Sequence, residues 1–267
     1  MNKLSNRPIY SLHDTDFIVD IDKQVLREAE RPSNEISFVN DMKDMGNHYL
    51  LNYDIVEKTC TPAVLDPLTW LPFHVPPLVE LDPAGMSEKY GIPVSELAGK
   101  TDFDIIVDQE ALTLRRQGVL PHVNIAGEDF IIDLRLHELR HKQYFFPVIS
   151  LKSFELTNDG WSYEAFYQPV MKQVVEIDPK LTEFPEGVIR IRIPNEIGLD
   201  PVETARQYGM EERELLRRYP IQAALKAEVV PLSETHIPSL IQRNREQLQQ
   251  EHQEIARRIK PRIRPKF

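Results

Sequence analysis

The chain has 267 residues, with 42 Asp and Glu against 32 Lys and Arg, a formal net charge of −10 and 41% hydrophobic residues. That apolar content excludes a disordered chain, the lack of an apolar run of about 18 residues excludes a membrane-spanning helix, and a single cysteine, Cys60, excludes an internal disulfide or an all-cysteine metal cage. One thiol and no apolar stretch of signal-peptide length near Met1 give a cytoplasmic expectation.

Taken in chain order, the first elements are strands at Phe17–Ile21, Ile36–Val39 and Tyr49–Tyr53, the last two joined near Gly46-Asn47. Another strand is expected near Val75–Glu80. Asp82 then caps a helix that opens on Pro83 and breaks at Gly91, and a short helix follows over Val94–Ala98. The chain turns polar and glycine-bearing near Gly118–Pro121, where a boundary is placed. Beyond it come strands at Phe130–Leu134, Ile149–Leu156 and Trp161–Tyr167, the last two joined by the hairpin signal Asn158-Asp159-Gly160. Val188–Ile193 alternates strictly, which predicts one buried face with Arg190 and Arg192 turned to water. Asp200 and Pro201 start a helix that breaks at Gly209, a second helix covers Glu211–Arg218, and a longer polar helix runs over Pro238–Ile259.

The same blocks recur in the same order. Asp16-Phe17-Ile18-Val19-Asp20 returns as Asp129-Phe130-Ile131-Ile132-Asp133, and Pro8, Leu26-Arg27 and Ile36-Ser37 return as Pro121, Leu139-Arg140 and Ile149-Ser150, all 113 positions on. Leu81-Asp82-Pro83, Tyr90-Gly91 and Glu96-Leu97 return 118 positions on as Leu199-Asp200-Pro201, Tyr208-Gly209 and Glu214-Leu215. A period this long is domain-sized rather than solenoid-sized. The expected fold is therefore α+β: a tandem duplication of a small, mostly antiparallel sheet plus a helical hairpin, with copy one at 1–120, copy two at 121–237, and a C-terminal helix and basic tail at 238–267.

Three chemistries can be read from motifs. His137-Glu138-Leu139-Arg140-His141 resembles the H-E-x-x-H signature of zinc metallopeptidases. On a helix, His137 and His141 would share a face and bind zinc, Glu138 would serve as general base, and Glu155, Glu164 or Glu176 could supply a third ligand. Extended backbone would instead separate the histidines by about 13 Å. The segment Ala205 to Gly209 to Leu215 resembles helix-turn-helix DNA-binding proteins in its spacing. Arg213, Arg217 and Arg218 would then contact nucleic acid, together with the tail residues Arg257, Arg258, Lys260, Arg262 and Arg264. Residues 255–267 hold six Lys and Arg and no acid, so the remainder is more acidic than the whole chain and would repel phosphate over most of its surface. Asp20 with Asp133, and Asp82 with Asp200, are equivalent carboxylates that read more simply as strand ends and helix caps than as an acid–base pair. Neither glycine-rich nucleotide motif occurs, and no cofactor is implied. Trp70, Phe73, Trp161, Phe166 and Tyr167 read as core or sheet-face aromatics. The residues favour a non-enzymatic binding or adaptor protein with an unidentified protein partner and no membrane. Nucleic-acid binding through the hairpin and tail is the first alternative, and a zinc hydrolase is the second.

Overall fold

The computed structural model describes residues 7–60 and 68–259. The fold is α+β, with antiparallel sheets and short helices. Two compact units emerge, one of residues 1–116 with 205–221 and one of residues 117–204 with 222–267.

In the first unit, β1 (Ile9–Leu12), β2 (Thr15–Asp20), β3 (Val25–Glu28) and β4 (Glu35–Ser37) form an antiparallel meander. A second antiparallel sheet consists of β5 (Met42–Asp44), β6 (Tyr49–Asp54) and β7 (Trp70–Val75). Their alternating inner positions, including Phe17, Val19, Leu26, Leu51 and Tyr53, share one core with α1 (Leu78–Leu81) and α2 (Pro83–Tyr90). Asp82 caps α2 by accepting from Gly85 N at 2.8 Å, and Gly91 ends the helix at φ +68°. Val94–Glu96 is a single 3₁₀ turn rather than the expected helix, because Pro93 fixes its entry and Gly99 follows closely at φ +75°. Two further helices, α3 (Asp102–Ile106) and α4 (Gln109–Arg116), come next.

In the second unit, β8 (His122–Ile125), β9 (Glu128–Asp133), β10 (Glu138–His141) and β11 (Val148–Ser150) form the meander. The other sheet contains β12 (Glu155–Leu156), β13 (Ser162–Gln168) with β14 (Gln173–Val174) at its side, and β15 (Ile189–Pro194). The expected continuous strand over Ile149–Leu156 is broken by a 3₁₀ turn at Leu151–Ser153, which Ser150 caps through Lys152 N. The strand expected near Val75–Glu80 lies several residues earlier, as β7, and α1 begins within that range instead. After β15 come α5 (Glu196–Leu199), α6 (Pro201–Tyr208) and α7 (Glu212–Arg218). Next, β16 (Ala224–Lys226) adds in parallel to β8, β17 (Glu228–Val230) pairs with β15, and α8 (Ile237–Ile259) closes the described chain. Ile237 and Ile241 of α8 pack on Phe166, whereas Leu248 and Ile255 are exposed.

Backbone details recur at the sequence intervals noted above. The non-glycine left-handed residues His13 and Gln24 have counterparts at Ala126 and His137, 113 positions on. Val19 N bonds to Pro8 O at 2.9 Å, as Ile132 N does to Pro121 O. Arg27 pairs with Asp20 at 3.0 Å and Arg140 with Asp133 at 2.7 Å. Gly91 and Gly209 end α2 and α6 at φ +68° and +65°.

The helix α7, which lies beyond position 200, belongs to the core of the first unit. Arg217 is 4% exposed; its guanidinium donates to Phe38 O and lies 4.8 Å from the Tyr49 ring centroid and 3.7 Å from Asp44. Arg213 pairs with Asp44 at 3.2 Å and stacks 4.3 Å from the Phe103 ring. Tyr49 in turn donates to the buried Asp102 at 2.7 Å, and Asp102 accepts Leu78 N and Val79 N at 2.8 Å each, satisfying the first amides of α1.

Candidate functional site

The sequence-derived arginines are occupied within the fold. Arg213 and Arg217 serve the Asp44, Phe38 and Phe103 contacts just described, and Arg218 pairs with Glu214 along its own helix at 3.3 Å. A nucleic-acid face on α7 would have to take Arg217 out of a buried cation–aromatic and hydrogen-bonded setting, and this is the physical objection to that reading. Arg257 and Arg258 lie in the last turn of α8, and Lys260, Arg262 and Arg264 lie outside the described residues.

The H-E-x-x-H string is not helical. His137 sits in the turn before β10 at φ +53°, and Glu138–His141 is β10 itself, paired on both sides by β9 and β11. Glu138 is engaged beside Arg140 at 3.4 Å. Among the described residues no group of three or more His, Cys, Asp or Glu side chains could hold a metal ion. The residues of this string therefore do not fit a zinc centre: strand geometry takes His137 away from His141.

Arg190 corrects the expectation for β15. It is 7% exposed, donates to Glu164 and Glu155 at 3.0 Å, and stacks 4.5 Å from the Phe166 ring. The register explains this, because Phe166 stands directly opposite Arg190 and Glu164 opposite Arg192. A cleft of about 670 Å³ beside them is lined by Lys152, Glu155, Glu164, Phe166, Arg190 and His236, and Arg190 spends its fork on Glu155 and Glu164. Among the aromatics, Tyr167 and Phe166 are buried as expected, but Trp161 is exposed.

His141 occupies a different constellation. Leu139 and His141 point inward from β10, and Phe130 stands opposite His141 on β9 with Glu128 two residues earlier on the same face. The imidazole is 2% exposed. Its Nδ1 accepts the backbone N–H of Gln143 at 3.3 Å and of Tyr144 at 3.2 Å, which leaves the proton on Nε2 to donate to Glu128 at 2.9 Å. Lys172, from the left-handed end of the β13–β14 turn, holds the other oxygen of Glu128 at 2.9 Å and sits 3.4 Å from Nε2. Lys172 and then His141 hold the Glu128 carboxyl below the ordinary glutamate value. Burial, with the charge of Glu128, pushes the Tyr167 hydroxyl up to about 12. The Tyr144 ring stacks on the imidazole, with centroids 5.1 Å apart and planes at 20°.

This polar base carries an exposed apolar display. Tyr144, Phe145 and Phe146 project from the β10–β11 loop, with Phe146 74% exposed; Val170 and Met171 project from the neighbouring β13–β14 turn, with Val170 88% exposed. Lys172 joins the two loops by lying 5.8 Å over the Tyr144 ring. A cluster of this kind costs solvation unless something covers it. In the first unit the corresponding loop has Glu28 where His141 stands and Arg31 where Tyr144 stands. There Glu28 accepts Arg31 and Asn34 at 3.1 and 2.8 Å, and the loop Glu30-Arg31-Pro32-Ser33-Asn34 has no aromatic residue.

Compared with protein-family models, curated proteins and solved structures, the chain matches none of them. Among the described residues no helix is long and apolar enough to cross a membrane.

Proposed function

We propose that the chain is a non-enzymatic binding or adaptor protein made of two homologous copies, and that it docks a protein partner on the paired loops 142–148 and 168–172 of the second copy. The observation that carries this reading is the exposed group Tyr144, Phe145, Phe146, Val170 and Met171 beside the buried, hydrogen-bonded His141. Large aromatic side chains held on a fixed backbone are the usual anchors of protein interfaces. The recurrence of left-handed residues, caps and ion pairs at matching intervals supports two homologous copies, and the aromatic substitution in one of them supports a role kept by that copy. The single cysteine is consistent with a cytoplasmic setting.

The two loops carry Lys142 and Lys172 and no acid, in a chain of net charge −10. The partner that fits is a protein segment with apolar side chains flanked by Asp or Glu.

Selection of a phage-displayed peptide library on the full-length chain tests the reading. Peptides combining aromatic or aliphatic residues with acids should be enriched, and their affinity should fall at least tenfold in Phe145→Ser/Phe146→Ser but not in Val56→Ser, an exposed position of the first unit. Enrichment insensitive to the double substitution would overturn the proposal. So would a surface that binds anionic vesicles and no peptide.

A further inference from the structure

We infer that His141, Glu128 and Lys172 form an acid-sensitive latch that sets the shape of the aromatic loop; this regulation rests on the docking role proposed for that loop. The latch is defined by which atom of the imidazole is an acceptor. Two consecutive amides at the start of the loop, Gln143 N and Tyr144 N, point at Nδ1, so the folded turn requires that nitrogen to be unprotonated. The turn is closed by Phe145 N to His141 O at 2.8 Å and His141 N to Pro147 O at 3.2 Å. A proton on Nδ1 would face two N–H donors and remove the acceptor they share.

The titratable and charged groups around the ring act in opposite directions. Glu128 on β9 favours a charged imidazole through its 2.9 Å contact with Nε2. The ammonium of Lys172, from the β13–β14 turn, disfavours it at 3.4 Å and already holds Glu128. Tyr144 stacks on the ring from the loop, Phe130 meets it edge-on from β9, and Tyr167 on β13 feels the charge of Glu128. A protonated ring can keep Glu128 only by releasing the loop amides. Imidazole is the side chain whose charge changes between about pH 5 and 8, so acid frees residues 142–147 and disperses the aromatic display. The first unit has no counterpart, since Glu28 occupies the corresponding position.

Amide exchange of Gln143 and Tyr144, measured by NMR on the full chain and corrected for the intrinsic pH dependence, reads the latch without any partner. Protection of these two amides should fall at least tenfold between pH 7.5 and 5.5, while Leu139 and Ile131 in the paired strands stay protected. Glu128→Gln should move the opening to lower pH, Lys172→Met should move it to higher pH, and His141→Gln should abolish the pH dependence. Equal protection at both pH values, or an unchanged pH dependence in His141→Gln, would overturn the latch. Peptides selected at pH 7.5 should weaken at least fivefold at pH 5.5. If no peptide is selected, the docking role fails and the exchange data still decide the latch.

Discussion

Replacing Asp102 with alanine removes one carboxylate and strands three donors. Asp102 is 2% exposed, and it accepts the Tyr49 hydroxyl at 2.7 Å and the amides of Leu78 and Val79 at 2.8 Å each. An orphaned buried donor costs about 1–3 kcal/mol, and partial relaxation reduces the total for three, so Asp102→Ala should destabilise the first unit by about 3–5 kcal/mol. Tyr49→Phe removes a single donor and leaves the carboxylate with two amides, at a cost of about 1 kcal/mol. Combined with Asp102→Ala it should be nearly neutral, because the hydroxyl it deletes no longer has a partner; the cycle should therefore show clear coupling. Urea unfolding followed by tryptophan fluorescence is suited to this, since Trp70 lies in β7 and the other tryptophan, Trp161, is 51% exposed on the second unit. A Trp161→Phe background isolates the first unit's transition. A loss below about 1 kcal/mol for Asp102→Ala, or simple additivity with Tyr49→Phe, would refute the assignment of Asp102 as the tie between β6, α1 and α3.

Further outcomes follow from the same geometry. Burial raises the Asp102 carboxyl above 3.8, against hydrogen bonds from Tyr49, Val79 and Leu78 and the charge of Arg217. The native state then binds this proton more tightly than the unfolded chain, so the group's contribution is full below pH 3.8 and falls as pH rises through the window above it; Asp102→Asn should flatten that slope in a pH series of urea midpoints. Arg190→Ala should destabilise the second unit by about 2–3 kcal/mol, less than a fully buried pair because Glu164 keeps Arg192 and Glu155 is exposed, as read by thermal unfolding. Gly209→Ala forces a side chain into φ +65° and should cost about 1 kcal/mol in the same assay. Burial and the nearby Asp41 push the Cys60 thiol up to about 11, so iodoacetamide at pH 7.5 should alkylate it at least tenfold more slowly than a free thiol.

Much of the fold was legible because its signals are local. Asp82-Pro83 with Gly91, and Asp200-Pro201 with Gly209, mark both ends of α2 and α6, and the alternation in Phe17–Asp20 and Phe130–Asp133 marks the central meander strands. The misses have physical causes. Helices α1 and α5 are single turns, the first amides of α1 held by the sequence-distant Asp102 and α5 capped by Asn195, too short for periodicity to appear. Helix α3 carries a readable local signal in the capping box Thr101 to Asp104. Alternation places Arg190 on the outer face because it reports which residues share a face, not whether a second layer covers that face. The aromatic loop lay in plain sequence as Tyr144-Phe145-Phe146, but its base did not. Glu128, His141 and Lys172 lie on β9, β10 and the β13–β14 turn, and only long-range pairing brings them together.

The docking surface itself is tested most directly by mapping where a selected peptide sits. Amide exchange of the full-length chain with and without saturating peptide should show new protection confined to residues 142–148 and 168–172, absent in Phe145→Ser/Phe146→Ser. Protection centred instead on α7, on α8 or on the first unit would contradict the account.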